Sequence, residues 1–399
     1  MNIARTVRSI ERNTWLFFLA QGLSMTTLNI NIIIVGLSGL IVAPQPWLAT
    51  LPLSFQFISS MLSTLPASLL MGRFGRKPIF VLGVIIIACG MAGQGLALLT
   101  GNFAGFLLAS MLVGSAHGIA QYYRYAAADS VAEDQKPVVV SLVLAGGVIA
   151  AFAGANIVNN TIGLLPGVIY ASCFFAGAVL QIIALPVILS LRTPPVTKQV
   201  TGGRPLSVFF RNPRFLSGLI AAALGYSVMT FLMTAAPLQI VSVSGLSDSE
   251  NALVIQWHVI AMFMPSFFTG WLIRRFGSEG IILASLMIYG IAVMVLINGL
   301  SFWHYFSVLL LVGLGWNGLY VTGSAIIAAS AEPEERAKVQ GISDFIITMM
   351  IAISSLSAGS LHYLIGWKSM GVGALIPVAV ILIFTLAMML TGKNNPKTT

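Results

Sequence analysis

The chain has little charge. Of its 399 residues, 8% are Asp, Glu, Lys or Arg and 57% are hydrophobic, against roughly a quarter charged in an ordinary soluble domain. That shortage excludes a water-soluble fold, which would leave much of this apolar surface wet. Cysteine is almost missing. Cys89 and Cys173 both lie inside apolar runs, where a free thiol behaves as a small hydrophobe, so neither a disulfide framework nor a metal site is expected. The sequence holds no His-Glu-x-x-His string, no Gly-x-Ser-x-Gly nucleophile and no phosphate-binding loop, which argues against an enzyme and against direct ATP coupling. The net charge of +9 is spread thinly between apolar runs. A nucleic-acid reader needs it gathered on one face. No nucleic acid and no cofactor are expected as partners.

What the chain does have is long apolar runs, at 15–37, 47–71, 78–99, 103–125, 138–165, 168–191, 215–238, 253–273, 280–300, 306–329, 339–365 and 373–390. About 20 apolar residues cross a hydrocarbon core about 30 Å thick, so the runs predict an all-α membrane protein of twelve transmembrane helices. Arg5, Arg8 and Arg12 before the first run imitate a secretory signal, but that run is long enough to span and eleven similar ones follow, so it is expected to be a retained first helix. Between the sixth and seventh runs lies a polar stretch with Arg192, Lys198, Arg204, Arg211, Arg214, Pro194, Pro195, Gly202 and Gly203. The expected organisation is a six-helix half over 1–191, a linker over 192–214 and a second six-helix half over 215–399. Alternate loops and the two ends hold 18 of the 20 basic residues. Because cytoplasmic segments collect Lys and Arg, both termini are expected in the cytoplasm, in a bacterial-type inner membrane.

The halves echo one another. Ser68-Leu-Leu-Met-Gly-Arg73-Phe-Gly75-Arg76-Lys77 stands 202 positions before Gly270-Trp-Leu-Ile-Arg-Arg275-Phe-Gly277-Ser-Glu279. Both copies close an even-numbered run and turn into the next, as a parallel repeat about an axis along the membrane normal requires. A weaker echo joins the acids after the fourth and tenth runs, Asp129, Glu133 and Asp134 against Glu332, Glu334 and Glu335.

These turns resemble the hallmark of the major facilitator superfamily, Gly-x-Leu-x-Asp-Arg-x-Gly-Arg-Lys, at Leu70, Arg73, Gly75, Arg76 and Lys77, and in the second half at Gly270, Leu272, Arg275 and Gly277. Ser68 and Gly72 replace the first glycine and the acid, and Arg274 stands at the acidic place of the second copy. The resemblance implies two pseudo-symmetric bundles working by alternating access, with helices 1, 4, 7 and 10 lining a central cavity. It leaves the solute open. The displaced acid has a candidate substitute in Asp344, early in run 11. That residue is expected either to latch against Arg73 or Arg76, or to serve as an N-terminal helix acid favoured by the dipole.

Ionisable groups inside the runs are costly and tend to be functional. Run 4 carries His117, Gln121 and Arg124 at i, i+4 and i+7, one face of a helix. Arg124 either joins that ladder or reaches the interface or Asp129. Gly118 matches a glycine that the family has in helix 4, but Gly114 stands where the family often has arginine. Run 8 offers Gln256, Trp257 and His258, a stacking ring beside an imidazole that either carries a proton or bonds a neighbouring backbone. His362, near the outer end of run 11, is expected to reach the interface. Further solute-binding candidates are Gln21 and Asn29, with Asn31, in run 1, Tyr226, Thr230 and Thr234 in run 7, and Trp316, Asn317 and Tyr320 in run 10.

Runs 1, 4 and 5 contain no Asp or Glu, which disfavours a cationic solute because nothing would neutralise it. The glycine-rich stretch of run 5 lacks the proline that exporters of this family carry there. The expected function is a monomeric secondary or facilitative transporter of a small neutral or anionic organic solute, in contact with membrane lipid. If proton-coupled, it would use His117, His258 or Asp344. The alternative is a drug or metabolite efflux pump of the proton-antiporter type.

Overall fold

The computed structural model describes residues 12–131, 136–193, 204–332 and 335–393. The described residues form helices and turns, with no strand among them. In chain order the long helices are α1 (Arg12–Val42), α2 (Leu51–Phe74), α3 (Arg76–Leu99), α4 (Phe103–Ala120), α5 (Lys136–Thr161), α6 (Ala171–Ser190), α7 (Pro213–Pro237), α8 (Asp248–Phe263), α9 (Ser266–Asn298), α10 (Phe302–Ala329), α11 (Arg336–Gly373) and α12 (Leu375–Lys393). Among the described residues ten stretches are long and apolar enough to cross a membrane. The count of twelve is reached because α8 is short and continues beyond Pro265 into the first turns of α9, and because α11 and α12 run on as one stretch, 338–390. Glycine divides both. Gly277 interrupts α9 at φ 76°, ψ 161°, and Gly366 interrupts α11 at φ 73°, ψ 170°.

Gly75, between α2 and α3, has φ 85° and ψ 161°. It therefore shares with Gly277, 202 positions later, a left-handed conformation that side chains resist. The matched motif is thus a matched backbone turn.

The chain divides into two compact units. One takes residues up to Pro44 with Phe55–Lys198, the other Gln45–Ser54 with residues from Gln199 on. Gln45–Ser54 groups with the second because Ser54 Oγ lies 3.0 Å from Ser355 Oγ and Thr50 fills the space left by Gly359.

Within the first unit α1 packs closely on α5 through Gly22 and Gly146; a Cβ on Gly146 would meet the Phe18 carbonyl at 2.7 Å. Glycine is required there by the approach of two backbones. Its interior is also tied by amides. Asn31 Oδ1 accepts from Gln56 Nε2 at 2.8 Å and Gln94 Nε2 at 3.0 Å, and Gln94 also donates to Ser110 Oγ at 2.9 Å. Gln181 Nε2 donates to Thr27 Oγ1 at 2.5 Å. This network joins α1, α2, α3, α4 and α6, where in hydrocarbon an unpaired amide would be costly.

Candidate functional site

The site begins with how α4 and α10 cross their neighbours. A Cβ on Gly114 would meet the Gln56 carbonyl of α2 at 2.1 Å, and a Cβ on Gly313 would meet the His258 carbonyl of α8 at 2.6 Å. Gln56 and His258 are 202 positions apart, the spacing of the glycine turns, while Gly114 and Gly313 are 199 apart. The same crossing is therefore built twice. Gly114 faces the backbone of α2, so an arginine at that place is sterically excluded.

With α4 and α10 so aligned, His117 matches Trp316, Gly118 matches Asn317 and Gln121 matches Tyr320. In the first half Gln121 Nε2 donates to His117 Nε2 at 2.9 Å. An amide nitrogen only donates, so the imidazole carries its proton on Nδ1. That atom is buried and has no partner among the described residues. The ladder stops there. α4 ends at Ala120, residues 121–122 form a turn, and Arg124 belongs to a separate short helix, Tyr123–Ala128. Its guanidinium lies 4.8 Å from the Tyr125 ring centroid and donates to that hydroxyl at 3.1 Å. Asp129, the other partner considered for Arg124, pairs with Arg76 at 2.5 Å.

In the second half the matched pair is aromatic. Trp316 and Tyr320 stack with centroids 5.0 Å apart and planes 10° off parallel. Tyr226 of α7 meets both edge-on, at 5.1 and 5.4 Å, and Phe263 closes on Trp316 at 5.9 Å. Phe263 escaped sequence reasoning, since an aromatic inside an apolar run carries no sign of its face. Trp316 is 4% exposed, and its Nε1 has no partner among the described residues, nor have the hydroxyls of Thr230 and Thr234 on α7. The cluster gathers a buried indole with an unpaired N–H and two half-buried tyrosine rings, a combination suited to a planar solute with acceptor atoms.

Other candidates take structural positions. Asn29 Nδ2 donates to the Ala150 carbonyl at 2.9 Å, tying α1 to α5. Asn317 clamps the break at Pro265, donating to the Met262 carbonyl at 2.7 Å and Ser266 Oγ at 2.6 Å and accepting from Thr269 Oγ1 at 2.6 Å. Trp257 is 41% exposed against Phe306, while its neighbour His258 is fully buried. His258 Nδ1 donates to the Leu309 carbonyl at 2.6 Å, which is the backbone bond weighed against a proton-carrying role. Gln21 is buried in α1 and Gln256 half-buried in α8. His362 corrects an expectation. Instead of reaching the interface it is half-buried and bonds Gln239 at 2.9 Å. Of the turn residues, Arg73 lies over the Phe74 ring at 5.2 Å, Lys77 is half-buried and Arg275 is exposed, while the Cβ position of Gly270 meets nothing within 4 Å. Glu133, Asp134 and Glu334 lie outside the described residues.

Residues 14–317 and 220–399 match the Major Facilitator Superfamily. The chain belongs to that superfamily. As a member of it, the chain is a multi-pass membrane transporter and not an enzyme. Among its relatives is the riboflavin transporter RfnT of Brucella anthropi, 36% identical over 388 residues, covering 96% of this chain and 97% of that one. Of solved structures, a bacterial homologue of the human lysosomal transporter Spinster superposes with a TM-score of 0.75 at 16% identity, covering 95% of this chain and 96% of the other. The nucleoside transporter NupG does so with 0.68 at 14% identity, covering 95% and 99%. At those identities the likeness is one of fold.

Proposed function

We propose that this superfamily member is a secondary transporter that carries riboflavin, or a closely related flavin, by alternating access, with both termini cytoplasmic. The observation that carries the reading is the Trp316, Tyr320 and Tyr226 cluster with the orphaned Trp316 Nε1 beside it. Riboflavin is a neutral molecule with a tricyclic planar ring, two ring carbonyls and a polyhydroxyl chain. The stacked rings suit the tricycle, and an indole N–H suits a ring carbonyl. The lack of carboxylates in runs 1, 4 and 5 fits a solute without positive charge, and the kinship with RfnT points the same way.

Riboflavin reports its own binding, because its fluorescence falls when the ring stacks on an aromatic side chain. Titrating purified protein into riboflavin should give saturable quenching, weakened about tenfold in Trp316→Leu if one stacking contact and one hydrogen bond are removed. Cells unable to make riboflavin should grow on low external riboflavin only when the flavin can cross, so expression in such a strain tests movement separately from binding. Quenching that never saturates, together with binding of lipophilic cations, would replace this reading with drug export.

A further inference from the structure

α7 does not end cleanly. It continues from Pro237 as a π-helical turn, Leu238–Val243, closed by a bond from the Ser244 N–H to the Gln239 carbonyl at 2.9 Å. Such turns are rare and gather at functional places. The Gln239 side chain is 3% exposed and joins three elements. Its Nε2 donates to the Tyr305 hydroxyl of α10 at 2.9 Å and to Ser244 Oγ at 3.2 Å, and Ser244 Oγ lies 2.6 Å from the same tyrosine oxygen. With Nε2 donating twice, Oε1 is the acceptor for His362 Nε2 of α11, so that imidazole nitrogen carries hydrogen. Nδ1 is then the atom free to gain a proton, and it can do so without breaking the bond to Gln239.

We propose that His362 is a proton-binding site at the outer end of the second half, where protonation tightens the junction of α7, α10 and α11. The word outer rests on the orientation proposed above. A second proton turns a neutral N–H···O bond into a charge-assisted one, shorter and roughly twice as strong. An imidazole titrates in the range where outside acidity varies. Neither of the other embedded histidines has this arrangement. His258 has Nδ1 committed to a carbonyl and Nε2 buried with no partner, so a proton there would be an unpaired cation in hydrocarbon. His117 accepts from Gln121 at Nε2, and a proton there would displace that donor. The elements around His362 bring few ionisable groups. α10 brings Tyr305, and His304, whose Nδ1 lies 2.7 Å from Ser301 Oγ; α8 begins with Asp248 and Glu250, the latter capping Ser247. α11 itself carries Tyr363 and, past Gly366, Lys368. The π-helical turn and the Pro46–Leu48 turn packed on α11 bring none.

Trp367 supplies a readout independent of any solute. Its ring is buried 6.1 Å from that of Tyr305, so tightening of the junction alters its surroundings. Intrinsic fluorescence of the purified full-length protein, titrated from pH 8.5 to 5, should show a one-proton step. The step should be lost in His362→Gln and in Trp367→Phe and kept in His304→Gln. A step that survives in His362→Gln, or a wild type with none, overturns the proposal. Hydrogen exchange on the wild type alone gives a second test that needs no variant. After correction for intrinsic rates, the amides of 238–246 should be better protected at pH 5 than at pH 8, and equal protection overturns the proposal as well. Neither measurement involves riboflavin, so failure of the flavin reading leaves both intact.

Discussion

His117 with Gln121, and Trp316 with Tyr320, occupy equivalent turns of equivalent helices, yet one pair is a hydrogen bond and the other an aromatic stack. The crossings beneath them are alike. In each half a glycine of α4 or α10 lies against a backbone carbonyl of α2 or α8. The repeat therefore fixes where backbones meet and leaves free the chemistry of side chains one turn further on. Each half can thus carry different side chains on the same framework.

The crossing is the part most easily broken. At Gly114 any Cβ lands 2.1 Å from the Gln56 carbonyl and 2.2 Å from Ser59 Oγ, and a backbone atom cannot swing aside as a side chain can. Gly114→Leu should fail to give folded protein, seen as loss of the monodisperse peak in size-exclusion chromatography. Gly313→Ala, with 2.6 Å to its carbonyl, should fold with a lower melting temperature, an overpacking cost on the order of 1–3 kcal/mol. Equal tolerance at both places would mean that the two crossings do not carry the same constraint.

Next in size is the clamp that replaces glycine in the second half. Gly118 matches Asn317, whose amide satisfies the Met262 carbonyl, Ser266 and Thr269 around Pro265. Asn317→Leu takes the amide from the buried Met262 carbonyl, while Thr269 keeps its bond to the Pro265 carbonyl and Ser266 is exposed, and should cost on the order of 1–3 kcal/mol, read as a lower melting temperature. A Cβ on Gly118 would meet Ser63 Oγ at 2.3 Å and the Ser60 carbonyl at 2.6 Å, so a side chain there displaces the Ser63 hydroxyl from its bonds to the Ser60 and Ser115 carbonyls and crowds the backbone of α2.

The pairs themselves come third. Trp316→His with Tyr320→Gln gives the second half the chemistry of the first and should weaken riboflavin binding by about tenfold, if each ring contributes about 0.5–1.5 kcal/mol beyond its area. His117→Leu leaves the stack intact and should spare the quenching amplitude. If the two variants lose affinity and amplitude alike, ring recognition is not confined to the second half.

Much of this was legible in the chain. Twelve apolar runs, a charged linker and a glycine turn repeated after 202 positions predict the architecture, because hydrocarbon thickness and left-handed glycine are strict constraints. Trp316 and Tyr320 are readable because rings four residues apart share a helical face, and Tyr226 because Thr230 and Thr234 follow it at the same four-residue spacing. Facing direction is harder. Trp257 and His258 are neighbours, yet one is exposed and the other fully buried, and a run apolar on every side gives no period from which to tell them apart. For the same reason the interior amides Gln56, Gln94 and Gln181 carried no signal, and neither did the Gln239 and Tyr305 bonds that draw His362 inward. Arg204 looked like one more basic residue of a linker. Only its partner shows its role.

That partner sets the smallest expected effect, and the one with a pH sign. Arg204 grips Glu335 through Nε at 2.8 Å, Nη2 at 2.6 Å and its backbone N–H at 2.7 Å, and Lys338 Nζ donates to the Arg204 carbonyl at 2.7 Å. A second basic-acidic pair among the described residues, Arg76 with Asp129, has an acid side chain 42% exposed, where water screens the attraction. The Arg204 bonds hold the Glu335 carboxyl down at about 2, from an ordinary 4.5. A carboxylate whose pKa is depressed by folding contributes stability above its unfolded value, and loses it as pH falls through the folded one. The melting-temperature gap between wild type and Glu335→Gln should therefore be full at pH 7, begin to close below about pH 4.5 and vanish near pH 2. Asp129→Asn should lower the melting temperature less at pH 7. A gap for Glu335→Gln as wide at pH 3 as at pH 7 would mean that the residue matters for its packing and not for its charge.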